Sequence, residues 1–206
     1  MSIKIEQPTI ESATVDPRIK RTRRRLRQAM MALLGEKTLN NITVQDIAAR
    51  ADVNRATFYA HFDDKYALLN DTVRETFNAR LKDELPPNPA MNLDNVHKLI
   101  MIVSDFMDQA VGPCMPRSQF TEHAIMVMQV QTSLYETIRE WMSQVETPLC
   151  EESEAAARML SWAIWGPILE WAHEGRKMPR QKMVAQVIAP LKPLFQHYAS
   201  KVHPSG

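Results

Sequence analysis

Residues 43–62 read TVQDIAARADVNRATFYAHF, and this stretch decides the fold. Thr43, followed three residues later by Asp46, has the form of a helix N-cap with an acidic first turn, which predicts a short helix to about Ala51. Asp52 and Val53 interrupt it, and Asn54 can cap a second short helix running through Phe62. Two short helices across a break of three to four residues form a helix-turn-helix pattern. Ala48 is small where the two must approach closely, Ile47 and Val53 are apolar where they meet a core, and Phe58 anchors the second helix from behind. A helix this short is unstable alone, so packing must hold it in shape. Asp52 occupies the turn position where glycine is commonest, and aspartate enters the left-handed region at some cost.

Working outward toward the N-terminus, Ile19, Leu26, Ala29, Met30, Leu33 and Leu34 recur at helical spacing, with Arg21, Arg23, Arg24, Arg25 and Arg27 between them. This predicts an amphipathic basic helix over 18–34, broken by Asn40 and Asn41. Residues 1–16 are expected to be a flexible arm without a signal-peptide core. On the other side, Asp63 or Asp64 starts a fourth helix near 65–85. Together these define a three-helix DNA-binding-type module over 17–64 and a connecting helix over 65–85.

The segment Pro86-Pro87-Asn88-Pro89 cannot continue a helix and marks an expected domain boundary. Beyond it, helical patterning covers 93–111, 118–145, 152–173 with a kink expected at Gly166-Pro167, and 181–198. No stretch alternates like a strand, and no repeat occurs. The fold class is therefore all-α, with a second helical domain over 90–201.

Composition agrees. With 206 residues, 45% apolar and 24% charged, the chain has the makeup of a globular protein. Two cysteines, Cys114 and Cys150, supply no disulfide framework, and the residue usage fits a reducing, cytoplasmic setting without a membrane span. Only five glycines and no phosphate-binding loop argue against a nucleotide-binding α/β fold. The net charge of +1 hides an asymmetry: residues 17–65 hold eleven Lys and Arg against five Asp and Glu, a net of +6, and the remainder is at −5. A basic module joined to an acidic one is the pattern expected when one end meets a polyanion.

The run Asn54-Arg55-Ala56-Thr57-Phe58-Tyr59-Ala60-His61-Phe62-Asp63-Asp64-Lys65-Tyr66-Ala67-Leu68-Leu69 closely resembles the signature of TetR/AcrR-family transcriptional regulators, a resemblance that is specific over 17–70. Asp52, Asn54 and Ala56 depart from the usual Gly, Ser and Gly in ways a cap or turn tolerates. The resemblance implies a homodimer whose N-terminal domains enter successive major grooves of double-stranded DNA at a palindromic operator. It also implies a C-terminal domain that dimerises and holds a small effector. Carried over to this chain, Thr43 caps the second helix and faces phosphate, and Arg55 and Ala56 face base edges beside the cap Asn54. Thr57, Tyr59, His61 and Lys65 match positions that contact phosphate, and Arg24 belongs to an Arg-rich run expected to touch DNA without base preference. The last two helices, with Trp162, Trp165 and Trp171, would join a partner's pair in a four-helix bundle.

Thirteen methionines, eight of them between Met91 and Met159, point to a soft lining suited to an apolar or aromatic effector, although each alone reads equally as core. Phe106, Met107, Met126 and Trp165 are the lining candidates. Glu122 with His123, and Glu170 with His173, are weak metal pairs, so no metal or cofactor is expected, and Cys114 reads as an inert thiol. No catalytic set stands out. The competing function is a DNA-binding activator or chromosome-associated protein whose second domain docks a protein partner.

Overall fold

A computed structural model of the chain describes residues 16–111, 120–144 and 150–202, with side chains described outside 109–126 and 194–202. Eight α-helices and no strand occur among the described residues. The expected arm lies outside them except for Asp16, as do Cys114 and the side chains of Glu122, His123 and Met126. No helix among the described residues is long and apolar enough to cross a membrane.

Helix α1 spans Pro17–Leu34, and Asp16 caps it by accepting a hydrogen bond from the Arg18 amide at 2.8 Å. Proline suits this start because its missing N–H is one that a first turn leaves unpaired anyway. Leu26, Ala29, Met30 and Leu33 form the buried stripe. A single 3-10 turn at Leu39–Asn41 follows, then α2 (Val44–Arg50) and α3 (Arg55–Tyr59). Helix α4 (Lys65–Glu84) begins where the Asp64 carboxylate accepts from the amides of Tyr66 and Ala67 at 2.8 and 2.7 Å.

The chain forms two compact units, Met1–Leu68 and Leu69–Gly206. The division falls after the first turn of α4, within the helix expected to connect the two domains. Apolar burial explains its position. Phe77, Leu81 and Leu85 of α4 are buried, and the Phe77 ring packs edge-on against Phe106 with centroids 5.3 Å apart, so most of α4 belongs to the second core. The prolines bend the chain inside that unit, helped by Asn88 at a φ of +52°.

In the second unit, α5 (Leu93–Val111) packs on α7 (Glu151–His173) and α8 (Arg180–Val202), and α6 (Phe120–Ser143) packs on α7. Val96, Leu99, Val103, Leu134, Ile138, Ile164 and Ile168 are buried at the centre. Gln131 donates to Ser161 Oγ at 3.2 Å across the α6–α7 contact. The α7–α8 turn uses Gly175 and Arg176, both at positive φ, and Arg176 and Arg180 pair with Asp108 and Asp105 of α5. Pro167 lies inside α7, and Pro190 and Pro193 lie inside α8.

Candidate nucleic-acid interface

The first unit builds its presenting surface from caps and a buried anchor. Thr43 closes a full capping box: its Oγ accepts from the Asp46 amide at 3.1 Å, and the Asp46 carboxylate accepts from the Thr43 amide at 2.8 Å. Lys37 approaches that carboxylate to 2.8 Å, and its hydrogen bond, with those from Thr43, holds Asp46 well below the usual carboxylate range. Across the same unit, Arg50 and Glu36 form a two-pronged pair at 2.8 and 2.7 Å, which lowers the Glu36 pKa. Asp52 does adopt the left-handed turn conformation, at a φ of +52°.

Helix α3 is shorter than the sequence predicts, ending at Tyr59 rather than Phe62. Beyond Tyr59 the backbone tightens, with the amides of both His61 and Phe62 donating to the Phe58 carbonyl. Asn54 caps the helix through a 2.6 Å bond from the Thr57 amide. Phe58 is fully buried and packs against the rings of Tyr59 and Phe62, with centroids 5.4 and 6.2 Å away. With Phe58 pinned inward, Arg55, Ala56 and Tyr59 stand on one exposed side of the helix, and the Tyr59 side chain is half-exposed. Thr57 and His61 are intermediate in exposure. Thr43 and Arg24 are exposed as well.

Lys65, expected to reach phosphate, is bonded within the first unit. Its ammonium donates to the carbonyls of Leu39, Asn40 and Ile42 at 2.9, 3.2 and 2.9 Å, which engages all three of its protons. It ties the start of α4 to the α1–α2 connection. A cation at a helix N-terminus opposes the helix dipole, and that oddity is the sequence signal that could have identified a strut. Two arginines of the run are likewise engaged inside the unit. Arg25 donates to the Asp52 carboxylate at 2.7 Å and to its carbonyl at 3.2 Å, and the Arg23 guanidinium lies 4.6 Å from the centre of the Phe62 ring.

In the second unit, Phe106, Met107 and Trp165 are all buried. None of them lines the open groove of about 400 Å³ between α7 and α8, whose walls include Ala163, Pro167, Trp171, Met183, Val187 and Pro190. Met159 and Trp162 on α7 are 72% and 52% exposed, an uncovered apolar strip on the same helix. Glu170 and His173 sit one turn apart, and no three His, Cys, Asp or Glu side chains converge as a metal site among the described residues.

Residues 26–72 match the family model described as bacterial regulatory proteins, tetR family. Over 179 residues, 84% of this chain, the sequence is 26% identical to the uncharacterized HTH-type transcriptional regulator YxbF of Bacillus subtilis (strain 168). The match covers 45% of YxbF, so the chain spans about half the length of that curated relative. A tetR-family transcriptional regulator from Streptomyces coelicolor shares the fold at a TM-score of 0.56 and 18% identity, over 89% of this chain and 93% of that one. The TetR family repressor AlkX from a Dietzia species, implicated in biodegradation of n-alkanes, aligns at 0.52 and 18% identity, over 84% of this chain and 97% of its own. The signature in α2 and α3, the matched segment and the shared all-helical fold agree: residues 26–72 are similar to the tetR family of bacterial regulatory proteins, and the chain as a whole shares their fold.

Proposed function

We propose that the chain is a sequence-specific DNA-binding transcriptional regulator, acting as a homodimeric repressor that leaves a palindromic operator when a small apolar or aromatic effector binds its second unit. The observation that carries this reading is the exposed side of α3, where Arg55, Ala56 and Tyr59 stand out around the buried Phe58. Arg55 is suited to a bidentate pair with guanine, and Ala56 to contact with a thymine methyl. Tyr59, Thr57, His61 and Thr43 hold phosphates and fix the register. Lys65, with its protons engaged, serves by holding α4 in place.

Helix α4 begins in the first unit and continues into the second, which makes it the carrier of the signal. Effector contacts at Phe106, Met107, Met126 and Trp165 would favour a state in which α4 is tilted. The paired recognition helices would then lose the spacing of about 34–36 Å that successive major grooves require. The uncovered strip at Met159 and Trp162 supports a second copy as the partner of α7 and α8.

Selection of duplexes from a random DNA pool by the purified full chain tests the reading. Enrichment of a palindrome, with one dimer per site, is the expected result. Salt-sensitive binding that enriches no sequence would contradict it and favour an architectural role.

A further inference from the structure

The open groove of about 400 Å³ between α7 and α8 combines apolar walls, among them Trp171, Met178, Met183 and Val187, with the two acidic residues Glu170 and Glu174. Trp171, Met183 and Val187 are buried, whereas both glutamates are exposed. The acidic pair sits where the helix itself gains nothing from it. Glu170 lies in the last turn of α7 and Glu174 is its C-cap, at the end where the helix dipole favours cations. The two are four residues apart, a spacing that sets like charges beside each other on a helix. Neither makes an ion pair among the described residues, and no Lys or Arg belongs to the lining among them. Arg176 and Arg180, whose guanidiniums stand 5.9 and 5.7 Å from the centre of the Trp171 ring, are paired with Asp108 and Asp105 of α5.

We propose that this groove binds a small amphipathic organic cation, an ammonium on an apolar body, at a site separate from Phe106, Met107 and Trp165. The inference goes beyond the effector reading above and does not rest on it. The groove has the volume of a site for a drug-sized molecule. Its walls take the apolar body, and the flexible thioethers of Met178 and Met183 adapt to the body's shape. The ammonium meets Glu170 and Glu174 and relieves their mutual repulsion, and the same two charges turn anionic ligands away. A second copy laid over the groove would instead have to strip water from both carboxylates, which is costly unless a cation meets them. Because the carboxylates face solvent, the attraction is modest and weakens with salt.

The test titrates the full chain, without DNA, in a calorimeter with a matched pair of probes: 1-naphthylmethylammonium and its uncharged counterpart 1-naphthalenemethanol. The wild-type chain should bind the ammonium about ten-fold more tightly at low salt, and added salt should shrink that preference. The double variant Glu170→Gln, Glu174→Gln should bind the two probes alike. Both positions are exposed and glutamine is a good helix former, so the variant should retain wild-type helicity by circular dichroism. Ala163→Phe, which places a ring into the groove from an exposed wall position, should lose both probes. No binding of the ammonium by the wild-type chain would overturn the proposal and leave the groove to a second copy. A preference for the ammonium that survives in the double variant, or binding undiminished in Ala163→Phe, would overturn it by placing the probe elsewhere. Each of these results leaves the α3 reading untouched.

Discussion

Lys65 shows how a single side chain can stabilise a junction between elements. Its ammonium donates to three backbone carbonyls of the 39–42 connection, of which that of Leu39 also accepts from the Ile42 amide at 3.1 Å. Lys65→Met keeps much of the stem and removes these donors, the one to the partly buried Ile42 carbonyl among them, and should destabilise the chain by about 1–3 kcal/mol in denaturant titration. A variant as stable as the parent would show that water replaces the ammonium freely. Asp46 gives a prediction in pH. Because its folded pKa is depressed, its stabilising contribution is present at neutral pH and above the ordinary carboxylate value near 4, and is lost as pH falls below it. The melting temperature of the parent should therefore exceed that of Asp46→Asn at pH 7, with the gap closing below about pH 4. A gap independent of pH would remove the carboxylate's charge from the explanation.

Among the elements, α3 depends most on its neighbours, since five residues cannot hold a helix alone. Phe58→Ala removes its fully buried anchor and should cost about 3–5 kcal/mol, together with DNA binding. An unchanged melting temperature would show that the caps alone fix the helix. The elements also show where the sequence was legible. Helix α5 starts where the sequence predicts, at Leu93, because the proline segment punctuates its N-terminal end. The caps at Thr43 and Asn54 and the left-handed Asp52 were readable because each is a local effect within three or four residues. The early end of α3 was not, since Phe62 continues the apolar period while the backbone tightens beneath it. The strut made by Lys65 joins groups 23 to 26 residues apart, and Arg25 reaches 27 residues to Asp52, distances that no periodicity records. The core that α4 joins is not legible for a related reason: proline marks where a helix stops, whereas burial of Phe77, Leu81 and Leu85 decides which unit holds most of α4.

For the whole molecule, the charge asymmetry and the uncovered strip on α7 have separate consequences. The basic first unit suits a polyanion, whereas Met159 and Trp162 expose apolar surface that a second copy would cover. In sedimentation experiments the 23.6 kDa chain should run as a dimer, and Trp162→Glu should shift it toward the monomer. Operator affinity should fall with it, because one short recognition helix makes too few contacts alone. A variant that remains dimeric would place the interface elsewhere. The central claim is that α3 reads bases through Arg55 while Tyr59 only positions it. Its most direct test is the affinity of the parent, Arg55→Ala and Tyr59→Phe for the selected palindrome and its single-base variants. Arg55→Ala should lose about 1–3 kcal/mol of discrimination at one position of each half-site, and Tyr59→Phe should weaken binding to every sequence alike. Equal loss of discrimination in both variants, or none in Arg55→Ala, would contradict it.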